Sequence, residues 1–90
     1  MNEEGWQCFL NWCSGTQDKT LLTELFDCLL TPEEKESIEM RCLIVQALLA
    51  QEKPQRQIAE DLKVSIAKIT RGSNQLKRIS KQLEGYLSSK

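Results

Sequence analysis

The sequence predicts an all-α chain of about six helices that contains a helix-turn-helix and assembles as an intertwined homodimer. Three observations support this fold class. Apolar residues recur at helical spacing, and no segment indicates a strand. The two prolines, Pro32 and Pro54, both lie where a helix would begin. The run from Ile38 to Ala50 is apolar on nearly every side, which five short neighbours from one chain would not easily cover.

Two amphipathic helices are expected before residue 31. The first is Asn2–Ser14, and its apolar face comprises Trp6, Phe9, Leu10 and Cys13. A Ser-Gly-Thr break follows. The second runs from Asp18 to Leu30, and its expected buried set is Leu21, Leu22, Leu25, Phe26 and Leu29. We interpret residues 1–30 as dimerisation helices, because each pair would bury its apolar surface against the second copy.

The third helix, residues 31–51, is predicted to be the hydrophobic centre of the assembly. Thr31 can cap it, Pro32 suits the first helical position, and Glu34 can complete a capping box. Arg41 interrupts the apolar run. A charge in that setting needs a partner or a binding site, although its side chain could equally extend to the surface.

The stretch Gln55–Lys77 predicts two short helices joined by a tight turn, the layout of a helix-turn-helix. Ile58, Ala59 and Leu62 would be buried on the first helix, and Val64 would fill the turn. Ser65 can cap the second helix, whose expected inward residues are Ile66, Ile69 and Leu76. Lys63 occupies a turn position that often needs a left-handed backbone. A last helix is expected over residues 80–88.

Length and charge suggest one domain, residues 1–90, with a nucleic-acid partner. Residues 1–40 contain two basic and nine acidic residues, a net charge of −7. Residues 41–90 contain ten basic and four acidic residues, a net charge of +6, and include the helix-turn-helix. This separation favours DNA binding by the second half, although a solvated surface could produce it by accident.

Several other classes of protein are disfavoured by composition. The chain has no histidine, and its four cysteines lack paired spacing, so neither a metal site nor a disulfide framework is expected. No nucleophile–base set or phosphate loop is present, which argues against an enzyme. No apolar run is long enough to span a membrane, and the first residues are acidic, so we expect a cytoplasmic protein.

Several motifs occur together in the order and spacing of one family. They are Ile69-Thr70-Arg71-Gly72-Ser73-Asn74 followed by Leu76-Lys77, Leu30-Thr31-Pro32-Glu33-Glu34, and Arg41 followed by Ile44-Val45 and Leu48-Leu49. In these motifs the stretch from Leu30 to Lys77 resembles the tryptophan repressor family. The resemblance implies a homodimeric repressor that needs L-tryptophan to bind a palindromic operator. Such a repressor would control genes of tryptophan biosynthesis or uptake.

The resemblance also implies a site for L-tryptophan. Arg41 and Arg71 would enclose the indole ring, and Arg71 would pair with the ligand carboxylate, helped by Thr31. Gly72 would leave room for the ring, although close helix packing or a kink would also explain a glycine there. The backbone carbonyls of Cys28 and Leu30, contributed by the second subunit, would receive the ammonium group. Gln75 stands where the family usually has a serine that helps hold this ammonium.

For DNA, the resemblance implies that Arg56 reads guanine, while Ile66, Ala67 and Thr70 face base edges. Residues expected to hold phosphates are Gln55, Lys68, Asn74 and Lys77. Two departures from the family put the operator sequence in doubt: Ala59 replaces a lysine, and Lys68 replaces a threonine. Two alternative functions stay open: a helix-turn-helix protein with an altered or lost corepressor response, and a protein-interaction module.

Overall fold

The computed structural model describes residues 3–90, which form six α-helices and no β-strands. The helices are α1 (Glu3–Ser14), α2 (Lys19–Leu29), α3 (Pro32–Ala50), α4 (Gln55–Leu62), α5 (Ile66–Leu76) and α6 (Lys81–Ser88). The predicted all-α class is confirmed, and residues 3–90 contain a helix in each stretch where the sequence predicts one. Asn2, the expected start of the first helix, lies outside the described residues. None of the helices in residues 3–90 combines the length and apolarity needed to cross a membrane.

The chain divides into two compact units, residues 1–35 and residues 36–90, so the assignment of one domain to residues 1–90 stays a prediction. In the first unit α1 and α2 meet through aromatic rings: the ring centroids of Phe9 and Phe26 are 6.2 Å apart. Asp18 caps α2 by accepting the backbone N–H of Thr20 at 2.9 Å. The expected capping box also forms: the Glu34 carboxylate accepts the backbone N–H of Thr31 at 2.8 Å, and the Thr31 hydroxyl accepts the backbone N–H of Glu34 at 3.1 Å.

The first unit leaves much of its apolar surface uncovered. Leu21 and Leu29, expected in the buried set of the second helix, are 52% and 41% exposed. The tryptophans of α1, Trp6 and Trp12, are 60% and 53% exposed. The described chain by itself does not bury these side chains.

The second unit has a small core between α3, α4 and α5. Its buried residues are Ile44, Ile58, Ala59 and Ile69, against which Met40, Ala47, Leu48, Leu62 and Val64 pack. Full burial of an isoleucine side chain contributes about 1.5–3 kcal/mol, so Ile58 and Ile69 are the main contributors from α4 and α5. Ala59, 8% exposed, is buried as expected.

The expected inward position of Ile66 is wrong, because its side chain is 50% exposed. Ile66 is the first residue of α5, and the turn residue Val64 packs against the core instead. The sequence indicated that the turn position of Lys63 often needs a left-handed backbone. Lys63 adopts this conformation, with φ 57° and ψ 44°. A non-glycine residue in this region costs about 1–2 kcal/mol. Ser65 caps α5 as predicted, accepting the backbone N–H of Lys68 at 3.4 Å.

Within the described chain α3 is not enclosed. Ile44 is its one buried residue among those described, whereas Ile38 and Leu43 are 44% and 40% exposed. The single chain therefore leaves apolar side chains of this helix exposed to solvent. This finding agrees with a helix that needs cover from a second subunit.

Candidate functional site

A cleft of about 530 Å³ lies between α3 and α5 in the second unit, closed on a further side by Leu87 of α6. Residues 37, 40, 41, 44 and 45 of α3 and residues 68, 71, 72, 75 and 76 of α5 line it. Both sets have the three- and four-residue steps that place side chains on one helix face. The volume is in the range of small-ligand sites, about 300–1,000 Å³.

The cleft brings together four of the residues expected to bind the ligand. Arg41 comes from α3, and Arg71, Gly72 and Gln75 come from α5. Gly72 of α5 faces α3. A Cβ atom there would lie 3.0 Å from Cγ2 of Ile44 and 3.4 Å from Cδ1 of Leu48. Close helix packing, one of the two explanations that the sequence left open for this glycine, is therefore present.

The charges of the cleft have one sign. Arg41, Lys68 and Arg71 line it, and no acidic side chain does. None of these three cations lies in an ion pair with a carboxylate of residues 3–90. The rest of the lining is mostly apolar, including Met40, Val45 and Ile79. An apolar cleft with guanidinium groups at its edge suits a flat, apolar ligand that carries an anionic group.

A second stripe of α5 faces away from the cleft. Ala67, Thr70, Asn74 and Lys77 are exposed and do not line the cleft, and Ile66 is half-exposed beside them. The hydroxyl of Thr70 donates to the side-chain oxygen of Gln55 on α4 at 3.2 Å. Arg56, next to Gln55, is exposed. The hydrogen bond between Thr70 and Gln55 joins α4 and α5 through two of the residues expected at DNA, whereas Lys68 lines the cleft.

An ion pair holds α4 to the connection before it. Lys53 donates to Asp61 at 2.6 Å, and Gln57 donates to the other carboxylate oxygen at 2.8 Å. The hydrogen bond from Lys53 lowers the pKa of the Asp61 carboxyl below its ordinary 3.8, and the bond to Asp61 raises the pKa of Lys53. The pair links the connection before α4 to the last turn of α4. No cluster of metal-ligating side chains occurs in residues 3–90.

A family model described as "Trp repressor protein" matches residues 4–90. The chain belongs to the Trp repressor family. This family comprises DNA-binding transcription regulators, so the expectation that the chain is not an enzyme is confirmed. The match also covers nearly all of the chain, more than the stretch that carried the resemblance in sequence.

Curated relatives agree with the family assignment. A Trp operon repressor homolog of Chlamydia caviae is 47% identical over 98% of this chain and 87% of its own length. One of Chlamydia trachomatis is 46% identical over 94% of this chain and 90% of its own length. One of Pasteurella multocida is 35% identical over 96% of this chain and 84% of its own length. These relatives support a transcriptional repressor.

Three residues that the Trp repressor resemblance assigned to the ligand belong to the first unit. Cys28 is exposed near the end of α2, Leu30 is its half-buried C-cap, and Thr31 is exposed in the capping box of α3. The expected role of Cys28 and Leu30 involves the second subunit. Their contact with a ligand stays a prediction.

Sequence reasoning missed several residues that the structure places in the cleft. They are Ser37, Met40, Ile79 and Leu87. For Ser37 a signal existed, since it precedes Arg41 by one helical turn. The same spacing relates Lys68 to Arg71 and Gly72, although we expected Lys68 at phosphate. For Leu87 no local signal existed, because a connection and the start of α6 separate it from α5.

Proposed function

We propose that this member of the Trp repressor family is an L-tryptophan-dependent repressor that binds a palindromic operator as a homodimer. The observation that carries the proposal is the cleft between α3 and α5, which Arg41, Arg71 and Gly72 line together. The alternative of a pure protein-interaction module does not explain why two unpaired arginines share an apolar cleft.

The proposed ligand matches the cleft in shape and charge. An indole ring suits the apolar lining, and guanidinium planes stack on aromatic faces with about 0.5–2 kcal/mol each. Arg71 would pair with the ligand carboxylate through a charge-assisted bond. Gln75 also lines the cleft, and its amide oxygen can accept a hydrogen bond from the ammonium group. Cys28 and Leu30 of the partner subunit would supply backbone carbonyls for the same group.

Control of DNA binding follows from the position of the cleft, which lies on the side of α5 opposite the stripe expected at DNA. A ligand held against α3 would set the angle of the helix whose opposite stripe meets the major groove. In a two-fold dimer both reading helices must fit half-sites about 34 Å apart, so a small change of angle affects both. By reciprocity, operator DNA would strengthen tryptophan binding. Arg56, Ile66, Ala67 and Thr70 would face bases, and Gln55, Asn74 and Lys77 would hold phosphates.

The homodimer is supported by the apolar surface that the chain leaves open. Trp6, Trp12 and Leu21 are each more than half exposed, and Ile38 and Leu43 of α3 are also accessible. A monomer with this surface would lose the stabilisation that burial supplies, about 25 cal/mol per Å². A second copy offers matching apolar helices in the same arrangement.

The direct test is selection of operator DNA by the full chain. Random-sequence duplexes are enriched for binding with and without L-tryptophan, and the recovered sites are then measured across salt concentrations. We expect a palindromic motif that appears in the presence of L-tryptophan and binds with a steep salt dependence. Enrichment of the same motif without L-tryptophan would instead support the alternative function, a helix-turn-helix protein that has lost its corepressor response. Absence of any enriched motif would contradict the proposed function.

A further inference from the structure

We propose that Lys68 is a specificity-determining residue of the ligand cleft, selecting ligands that carry a carboxylate. The inference rests on the proposed function, since it concerns the same cleft. It assigns to Lys68 a different task from the phosphate contact that the sequence suggested. The argument combines the position of Lys68 on α5 with the charges around the cleft.

The helical geometry of α5 places Lys68 among the cleft residues. At about 100° per residue, Arg71 and Gly72 lie within about 60° of Lys68 around the helix axis, and Gln75 within about 20°. Thr70 and Lys77, on the stripe expected at DNA, lie about 160–180° away. Lys68 lines the cleft, whereas Thr70 and Lys77 do not. The exposed side chain of Lys68 therefore adds a positive charge to the lining of the cleft.

The charge of the cleft gives Lys68 its proposed effect. Arg41, Lys68 and Arg71 contribute three positive charges, and no carboxylate lines the cleft to balance them. Three cations around one cleft repel each other, so a bound negative group relieves their repulsion. Lys68 precedes Arg71 by one helical turn, which lets a single carboxylate lie between the two side chains.

The same field disfavours a ligand that carries an ammonium group alone. L-Tryptophan brings a carboxylate that offsets its ammonium, whereas L-tryptophanamide has no anionic group. The two molecules share the indole ring, so their affinity ratio isolates the charge of the cleft from its apolar contacts. Lys68 contributes to this ratio, and a residue that only packs against the ring would not.

Substitution of Lys68 should leave the fold intact. Its side chain is exposed, and the cap of α5 uses its backbone N–H, which every non-proline residue keeps. Lys68→Met retains the length and apolar character of the side chain and removes the charge. Lys68→Arg retains the charge. Lys81→Met removes a lysine from α6 that does not line the cleft and serves as the matched control.

The experiment is calorimetric titration of the full-length chain and these variants with L-tryptophan and L-tryptophanamide, without DNA, at low and high salt. We expect Lys68→Met to reduce the preference for L-tryptophan over the amide by about two- to fivefold, the scale of a solvent-exposed charge pair. Lys68→Arg should restore the preference, Lys81→Met should keep it, and high salt should shrink the effect.

Two results overturn the inference and leave the proposed function standing: an unchanged preference in Lys68→Met, or an equal loss of affinity for both ligands. The first would mean that Lys68 does not sense the carboxylate, and the second that it acts only on packing. Failure of the wild-type chain to bind L-tryptophan would overturn both the inference and the proposed function.

Discussion

Ile44 on α3 lies against Gly72 on α5, with its Cγ2 atom 3.0 Å from the place that a Cβ on residue 72 would occupy. Glycine is unfavourable inside a helix by roughly 1 kcal/mol relative to alanine. Here the missing side chain lets the backbone of α5 approach a residue of α3 that is itself 4% exposed. Gly72 also lines the cleft, so one residue serves both packing and cleft shape.

Gly72→Ala should destabilise the chain by about 1 kcal/mol. Alanine improves helix propensity by roughly 1 kcal/mol, but overpacking a filled core costs about 1–3 kcal/mol. Because Ile44 is buried, it has little freedom to move away. The free energy of unfolding, measured by urea denaturation, checks this expectation.

The matched background for Gly72→Ala is Ile44→Ala, which removes the Cγ2 atom. In that background Gly72→Ala should be neutral or stabilising by up to about 1 kcal/mol, because the propensity gain is no longer opposed. Equal effects of Gly72→Ala in both backgrounds would show that the contact with Ile44 does not explain the glycine.

Lys63→Gly should stabilise the chain by about 0.5–1 kcal/mol. The left-handed backbone of Lys63 costs a non-glycine residue about 1–2 kcal/mol, and the greater freedom of glycine in the unfolded chain offsets part of that gain. Lys77→Gly is the control, since Lys77 has a right-handed backbone with φ −70° at the end of α5. The control should not be stabilised. A loss of thermal stability in Lys63→Gly would refute the strain assigned to the turn.

Stability should depend on pH through Asp61. The folded-state pKa of its carboxyl lies below 3.8, so the pair with Lys53 stabilises the chain above that pH. The contribution is lost as pH falls through the folded pKa. Asp61→Asn should therefore lower the melting temperature at neutral pH, with the difference from wild type shrinking as pH falls below 3.8.

Glu60→Gln is the control for Asp61→Asn, because it removes a carboxylate from the same helix and keeps the Lys53–Asp61 pair. Its melting temperature should follow the wild-type acid transition. If Asp61→Asn keeps a constant difference from wild type between pH 7 and pH 3, the ion pair is not the source of the pH dependence.

Leu21→Lys should weaken the proposed homodimer. Leu21 is 52% exposed in the single chain, so a lysine there is tolerated by a monomer but would be desolvated at an apolar interface. We expect the dissociation constant to rise at least about tenfold, ~1.4 kcal/mol. Sedimentation should show wild type at twice 10.3 kDa and a shift toward 10.3 kDa in the variant. The control is Thr20→Lys, at the neighbouring exposed polar position, and this variant should stay dimeric. A monomeric wild type would contradict the proposed homodimer interface.

Local signals in the sequence predicted the helices well, because each depends on a few neighbouring residues. Ser65 and Asp18 cap the helices that follow them, and the Thr31–Glu34 box forms. The sequence likewise indicated that the turn position of Lys63 often needs a left-handed backbone, and Lys63 has that conformation. The resemblance in sequence predicted that Arg41 and Arg71 lie at one site, and both line the cleft.

The remaining features depend on tertiary packing, which local periodicity does not specify. Ile66 has an apolar side chain at an inward register, but α4 leaves it uncovered at the start of α5. Leu87 lines the cleft from α6, and its position there depends on the path of the chain after α5. Lys68 was expected at phosphate, and that contact stays a prediction; the structure places it also at the lining of the cleft.

The central claim is that the cleft lined by Arg41 and Arg71 binds L-tryptophan. Calorimetric titration of the full chain with L-tryptophan tests it most directly, with Arg41→Lys and Arg71→Lys as variants and Arg78→Lys, outside the cleft, as control. The account predicts saturable binding of one ligand per chain. Each cleft variant should weaken it about two- to thirtyfold through loss of the stacked guanidinium plane, and the control should leave it unchanged. Absence of binding heat at millimolar L-tryptophan would contradict the account.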